Sequence, residues 1–315
     1  MNKRAFDWLA ALALMVTSLD ALAQIAERKV DIYSEGVRMA GTLLYPQTAA
    51  AEKLPTIVLS HGWGGTAALL LPHAERFAHA GYLVLVFDYR GWGESDGRWV
   101  RDESAAAGTN ARRELREVVD PLDQATDIFN AVHWVMGEPM ADVNRVGLWG
   151  TSFSGGLVAY VAARDPRIKA IVSQAAWFGQ PRAKYTPEAL ARAQSDATRR
   201  ARGEIGYPPP GVREIGNLRG APLRESFLRY APIDDIPAIK GCAMLIIDAE
   251  KEELFSLREH GELAFARAAE PKKRVVIPGI AHYGIYTVAR EQSIGLAIEW
   301  MDRHLKGATQ APASQ

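Results

Sequence analysis

The chain has 315 residues, 48% of them hydrophobic and 23% charged, which excludes disordered and collagen-like chains. Lys+Arg and Asp+Glu balance at 37 each. No broad electrostatic footprint is therefore available for nucleic acid or an anionic membrane, and the expected partner is a small molecule. The single cysteine, Cys242, permits no internal disulfide and no cysteine-rich metal site.

The first residues read as an address. Lys3 and Arg4 precede an apolar run at 8–16, and Ala21-Leu22-Ala23 forms an A-x-A site before Gln24. This is the plan of a secretory signal peptide over 1–23, and it predicts export to the periplasm or the medium after cleavage near Ala23. The run of about nine residues falls short of the ~20 that a spanning helix needs, so no permanent membrane anchor is expected.

From there, short apolar runs alternate with helical patterns. Residues 30–33 and 38–45 predict an antiparallel pair turning at Glu35-Gly36. Continuous apolar runs follow at 56–60, 82–87, 145–149, 170–173, 243–247 and 274–277. Unbroken apolar character marks strands covered on both faces, as in a parallel sheet. Helices are predicted at 122–136, where Leu122, Ala125, Ile128, Phe129, Val132 and Val135 share a face, and at 154–163, 256–269 and 288–305. The alternation predicts an α/β fold, doubly wound around a mostly parallel sheet. Residues 179–232 break the rhythm with many charges, Pro208-Pro209-Pro210 and a possible helix at 187–202. Such a length is too long for a simple connection, and an inserted cap is expected there. The domain plan is then a core over 24–178 and 233–308, the cap at 179–232 and a flexible tail at 309–315.

The turn Gly150-Thr151-Ser152-Phe153-Ser154-Gly155-Gly156 joins a predicted strand to a predicted helix. A sharp strand–Ser–helix turn lifts a hydroxyl clear of the sheet and aims a helix N-terminus at charge developing on a substrate. Ser152 is the favoured nucleophile because it has Gly150 two residues behind it. Ser154, with Gly156 two residues on, is a rival.

At this point the chain resembles the α/β-hydrolase superfamily over nearly all of its mature length. Leu59-Ser60-His61-Gly62-Trp63-Gly64-Gly65 is similar to the H-G-x-G oxyanion loop. Phe87-Asp88-Tyr89-Arg90-Gly91-Trp92-Gly93-Glu94-Ser95 is similar to the turn after the fourth strand, with Asp88, Arg90 and Ser95 in structural roles. Gly279-Ile280-Ala281-His282-Tyr283 follows the last strand, where the family carries its histidine. The resemblance implies a Ser–acid–His triad with His282 as base to Ser152. It sets the acid in Asp248-Ala249-Glu250-Lys251-Glu252-Glu253-Leu254. Laying Ala249 on the family's Gly selects Glu252, with Glu253 and Asp248 as alternatives. The backbone N–H groups of Trp63 and Phe153 are the implied oxyanion donors. His61 shapes the oxyanion loop, while His73, His79, His133, His260 and His304 fall on predicted helices as packed or solvated residues.

Trp177, Phe178 and Tyr283, with Trp63, are expected to line an apolar substrate pocket. No spacing suggests a metal site, and no Gly-rich loop is followed by a Lys that would cradle phosphate, so neither metal nor cofactor is expected. The resulting expectation is a serine hydrolase acting on a small ester through an acyl-enzyme. The same triad serves amide cleavage and acyl transfer, and a binding protein built on the hydrolase fold is the non-enzymatic alternative.

Overall fold

The computed structural model describes residues 24–49, 53–106 and 109–307. The predicted leader at 1–23 and tail at 309–315 lie outside the described residues. Eight strands form the main sheet: β1 (Ile25–Ser34), β2 (Val37–Pro46), β3 (Leu54–Ser60), β4 (Leu83–Phe87), β5 (Ala141–Thr151), β6 (Ile168–Gln174), β7 (Ala243–Lys251) and β8 (Lys272–Ala281). Their spatial order is β1-β2-β4-β3-β5-β6-β7-β8. The β1–β2 and β2–β4 pairs are antiparallel and every other pair is parallel.

The helices that position the site are α1 (Leu71–His79), α2 (Pro121–Met136), α3 (Phe153–Ala162), α4 (Pro187–Ala201), α5 (Gly261–Arg267) and α6 (Arg290–Met301). The unbroken apolar runs serve two cores at once. Ile57, Leu59, Val84 and Val86 pack with Phe77 of α1 and Trp300 and Met301 of α6. Val58, Leu85, Phe87 and Leu148 point the other way, toward Ile128 and Val132 of α2 and Leu157 and Val158 of α3. Each such fully buried side chain stabilises by roughly 1.5–3 kcal/mol, so neither face tolerates a polar substitution.

Local chemistry sets the helix boundaries. Asp120 Oδ1 accepts the Leu122 and Asp123 N–H groups ahead of Pro121, and Thr186 Oγ1 accepts the Ala189 N–H ahead of Pro187. Both are side-chain caps followed by proline in the first turn. Two predicted helices are shorter than expected. The 256–269 segment becomes helical only at Gly261, because His260 has φ −119° and ψ −91° and turns its ring inward to accept the Phe178 N–H on Nδ1. The 288–305 pattern starts at Arg290, since Val288 is exposed, and it ends in a wider turn over Asp302–Lys306.

Strand order reverses between β3 and β5: β3 leads through α1 to β4 on one side, and β5 leads through α3 to β6 on the other. The crevice beyond the carboxyl ends of these two strands is the topological switch point, where α/β sheets bind ligands. The loop after β3 and the turn after β5 both open into it.

Candidate active site

Ser152 follows β5 with φ 55° and ψ −123°, a left-handed backbone rare for a side chain that carries a Cβ. Such strain costs of order 1–3 kcal/mol and persists only where surrounding bonds hold it. Here the Ser152 N–H donates to the Gln174 carbonyl at 2.8 Å, and the Ser152 carbonyl accepts from Gly155 at 3.0 Å and Trp177 at 3.1 Å. Glycine at 150 is a steric necessity, since a Cβ there would lie 2.4 Å from the Ser154 carbonyl oxygen.

Three side chains distant in sequence meet at this turn. Ser152 Oγ lies 3.1 Å from His282 Nε2, and His282 Nδ1 lies 2.7 Å from Glu252 Oε2. The histidine and glutamate side chains are buried. Glu252 Oε1 accepts the Leu254 N–H at 3.0 Å, which fixes the carboxylate. A carboxylate only accepts, so Nδ1 carries the imidazole proton and Nε2 presents a lone pair to the serine hydroxyl.

The other acid candidates have different work. Glu253 Oε2 accepts the backbone N–H of His282 at 2.8 Å. Asp248 is fully buried and receives Arg274 Nε at 2.7 Å; burial pushes its carboxyl up to about 6. Ser154, the rival nucleophile, is fully buried, with its Oγ 2.5 Å from Ser60 Oγ and 3.1 Å from Tyr89 Oη, and it lines neither cavity at the site.

Gly62 brings the β3 loop against the serine: a Cβ there would lie 2.9 Å from Ser152 Cβ. Trp63, the next residue, donates its indole N–H to the Gly220 carbonyl at 3.2 Å and packs edge-on against Phe153. His61 stands on Tyr89, and burial lowers its basicity. Asp88 ties the neighbouring loops together by accepting the Ala67 and Glu94 N–H groups, while Ser95 bridges the Asp88 carbonyl and the Ala40 N–H. Arg90 is buried against Asp127 and Glu35.

Two cavities meet at Ser152. One, of about 440 Å³, is walled by Trp63, Phe153 and Trp177 on the core side and by α4 and the 215–228 segment on the other. The 179–232 segment thus overhangs the serine. The second, of about 510 Å³, is lined by His282, Tyr283, Tyr286, His73 and Arg290. Phe178, expected on a pocket wall, lines neither: its ring is wholly buried in the core under α3. The close approach of Gly156 to the Trp177 carbonyl and the Phe178 N–H bond to His260 draw the chain inward there. Tyr286 escaped the sequence reading; its hydroxyl lies 2.7 Å from Thr151 Oγ1, and burial raises its pKa. Its spacing of four from His282 on the same loop was the available signal. Among the described residues, no group of three His, Cys, Asp or Glu side chains is placed to hold a metal ion.

The sheet order, the strained serine turn and the site at the switch point define a protein of the α/β-hydrolase class. Within that class the chain belongs to the X-Pro dipeptidyl-peptidase (S15) family, whose model matches residues 35–200. It is 37% identical over 161 residues to the quorum-quenching protein AidA of Acinetobacter baumannii, covering 51% of this chain and 47% of that protein. It is 31% identical over 140 residues to the thiohydrolase aneE of Aspergillus aculeatus, covering 44% of this chain and 38% of that one. The chain thus spans less than half the length of these curated relatives. A hypothetical protein from Pseudomonas aeruginosa has the same fold, with TM-score 0.70 at 21% identity over 92% of this chain and 98% of that one.

Proposed function

We propose that this protein is a serine hydrolase that cleaves carboxylic esters and thioesters through an acyl-enzyme on Ser152. The observation that carries the proposal is the relay from Ser152 Oγ through His282 to Glu252, at 3.1 and 2.7 Å, with Ser152 itself opening into an apolar cavity. Ser152 Oγ attacks the carbonyl carbon while His282 Nε2 takes its proton. The Trp63 and Phe153 N–H groups receive the oxyanion. As the bond to the leaving oxygen or sulfur breaks, Nε2 returns the proton to that atom. Water, deprotonated by the same nitrogen, then releases the acid and restores the serine.

Esters are favoured by charge over the X-Pro peptides after which the family is named. Among the described residues lining the overhung cavity none is acidic, and Arg192 and Arg224 are basic. The α-ammonium of a dipeptide would find no counter-ion there, whereas the aromatic and aliphatic walls suit an acyl chain. Similarity to a thiohydrolase brings thioesters within the same reading.

A fluorophosphonate probe followed by peptide mapping tests the nucleophile; labelling of Ser152 is expected, and its absence in folded protein would favour a binding role. A panel of p-nitrophenyl esters, acyl thioesters and X-Pro amides tests the substrate class, with the amides expected to be turned over far more slowly. We also propose export, on the N-terminal pattern of Lys3-Arg4, the apolar run and Ala21-Leu22-Ala23. Protein isolated from its native host is expected to begin near Gln24.

A further inference from the structure

The second cavity differs from the first in a way that bears on the leaving group. His282 lines it and does not line the overhung cavity. Because Nε2 must hand its proton to the departing atom, the leaving group sits on the side of the serine that His282 faces. The acyl portion is thereby assigned to the overhung cavity and the alcohol or thiol portion to the second.

The walls of the second cavity carry unused hydrogen-bonding capacity. His73 is 2% exposed, yet neither ring nitrogen has a hydrogen-bond partner among the described residues. A buried ring nitrogen left unpaired is unfavourable, so it has capacity for a partner from the cavity, a water in the free protein or a substrate atom in the complex. Arg290 stands near it on the same wall, and its buried Nε likewise lacks a hydrogen-bond partner among the described residues. Arg290 Nε lies 3.5 Å from Glu291 Oε1, while Arg76 Nε lies 3.2 Å from Glu291 Oε2. One carboxylate shared by two guanidinium groups leaves one net positive charge beside the cavity. Burial and the Arg290 charge hold His73 neutral, down to about 4, so it offers one N–H and one lone pair. No described residue lining this cavity is acidic.

From this juxtaposition we infer that His73 and Arg290 form a subsite for a carboxylate on the leaving group, so that the substrates are acyl esters or thioesters of hydroxy- or mercapto-carboxylic acids. One net charge matches a monoanion, and a guanidinium fork matches the planar geometry of a carboxylate. The inference rests on the ester-hydrolase reading above.

The test compares two octanoyl esters with the same phenolic leaving oxygen, one of 4-hydroxybenzoate and one of its methyl ester. The ratio of their kcat/KM values, charged over neutral, is expected to fall tenfold or more in Arg290→Gln and His73→Phe, mainly through KM, and to recover in part in Arg290→Lys. Calorimetric binding of 4-hydroxybenzoate to the wild-type protein gives a readout free of turnover; its Kd is expected to rise tenfold or more in Arg290→Gln. An unchanged ratio together with an unchanged Kd would overturn the subsite while leaving ester hydrolysis intact. Failure of the wild-type protein to cleave either ester, with Ser152 unlabelled by fluorophosphonate, would overturn both readings.

Discussion

Gly62 and Ser152 pack closely just beyond the paired carboxyl ends of β3 and β5: a Cβ built on Gly62 would lie 2.9 Å from Ser152 Cβ and 2.9 Å from the Thr151 carbonyl oxygen. The loop cannot accept alanine without moving away from the serine. That movement carries with it Trp63, whose N–H is assigned to the oxyanion. Gly62→Ala should therefore lower kcat by about 10²-fold, the scale of one lost oxyanion donor, with a smaller change in KM. Steady-state kinetics with a p-nitrophenyl ester checks this, and circular dichroism checks that the variant is folded.

Glu252 and Glu253 both bond His282, one at the ring and one at the backbone, and this separates their expected effects. Glu252→Gln presents an amide that can donate to Nδ1 and favour the wrong tautomer, so kcat should fall by roughly 10³–10⁴, as for the equivalent change in a serine protease. Glu253→Gln keeps a carbonyl oxygen for the His282 N–H and should change kcat less than about threefold. Comparison of the two kcat values is the measurement, and equal losses would reassign the acid.

The inner strands β3 and β4 were legible because every residue of each is buried, which writes itself into the sequence as runs such as Thr56-Ile57-Val58-Leu59 and Leu83-Val84-Leu85-Val86. The serine turn was legible for a related reason, since Gly150 is imposed by a contact with the Ser154 carbonyl only four residues away. The fates of Phe178 and His73 were not legible. Phe178 differs from Trp177 only in which way the chain is pulled after β6, and one cause is the ring of His260, 82 residues further on. His73 sits on an ordinary amphipathic helix; that its ring is buried without a hydrogen-bond partner among the described residues, close enough to Arg290 of α6 to feel its charge, depends on contacts made far along the chain.

Ser154 offers a separate test of which hydroxyl does chemistry. Its Oγ bridges Ser60 on β3 and Tyr89 after β4, joining the first turn of α3 to the sheet in the buried core. Ser154→Ala leaves those two buried hydroxyls short of a partner and should destabilise the protein by about 1–3 kcal/mol, read as a shift in urea midpoint. Its kcat should stay within a few-fold of wild type, whereas Ser152→Ala should abolish turnover with little loss of stability. The reverse pattern would move the nucleophile to Ser154.

His260 gives the stability curve an acid-side weakness. Its Nδ1 accepts the Phe178 N–H at 3.1 Å, and its ring packs against Phe255 and Trp177. Burial lowers its basicity to about 4. A protonated ring has no lone pair left for Phe178, so the geometry and the shift agree. Between about pH 6.5, where an unfolded histidine titrates, and about pH 4, the unfolded chain binds more protons at this site than the folded one. Stability from His260 is therefore fully present above pH 6.5 and is lost as pH falls toward 4, by roughly 2 kcal/mol at pH 5. His73 acts in the same direction, while the raised carboxyl of Asp248 acts in the opposite one, so the wild-type profile alone does not isolate His260. His260→Asn does, because an amide oxygen can still accept the Phe178 N–H but does not titrate. Urea denaturation of both proteins at pH 7 and pH 5 should show the wild type losing roughly 1–2 kcal/mol more than the variant on acidification. Equal losses would mean that the folded protein accommodates the charged ring and that the Phe178 bond does not restrain its titration.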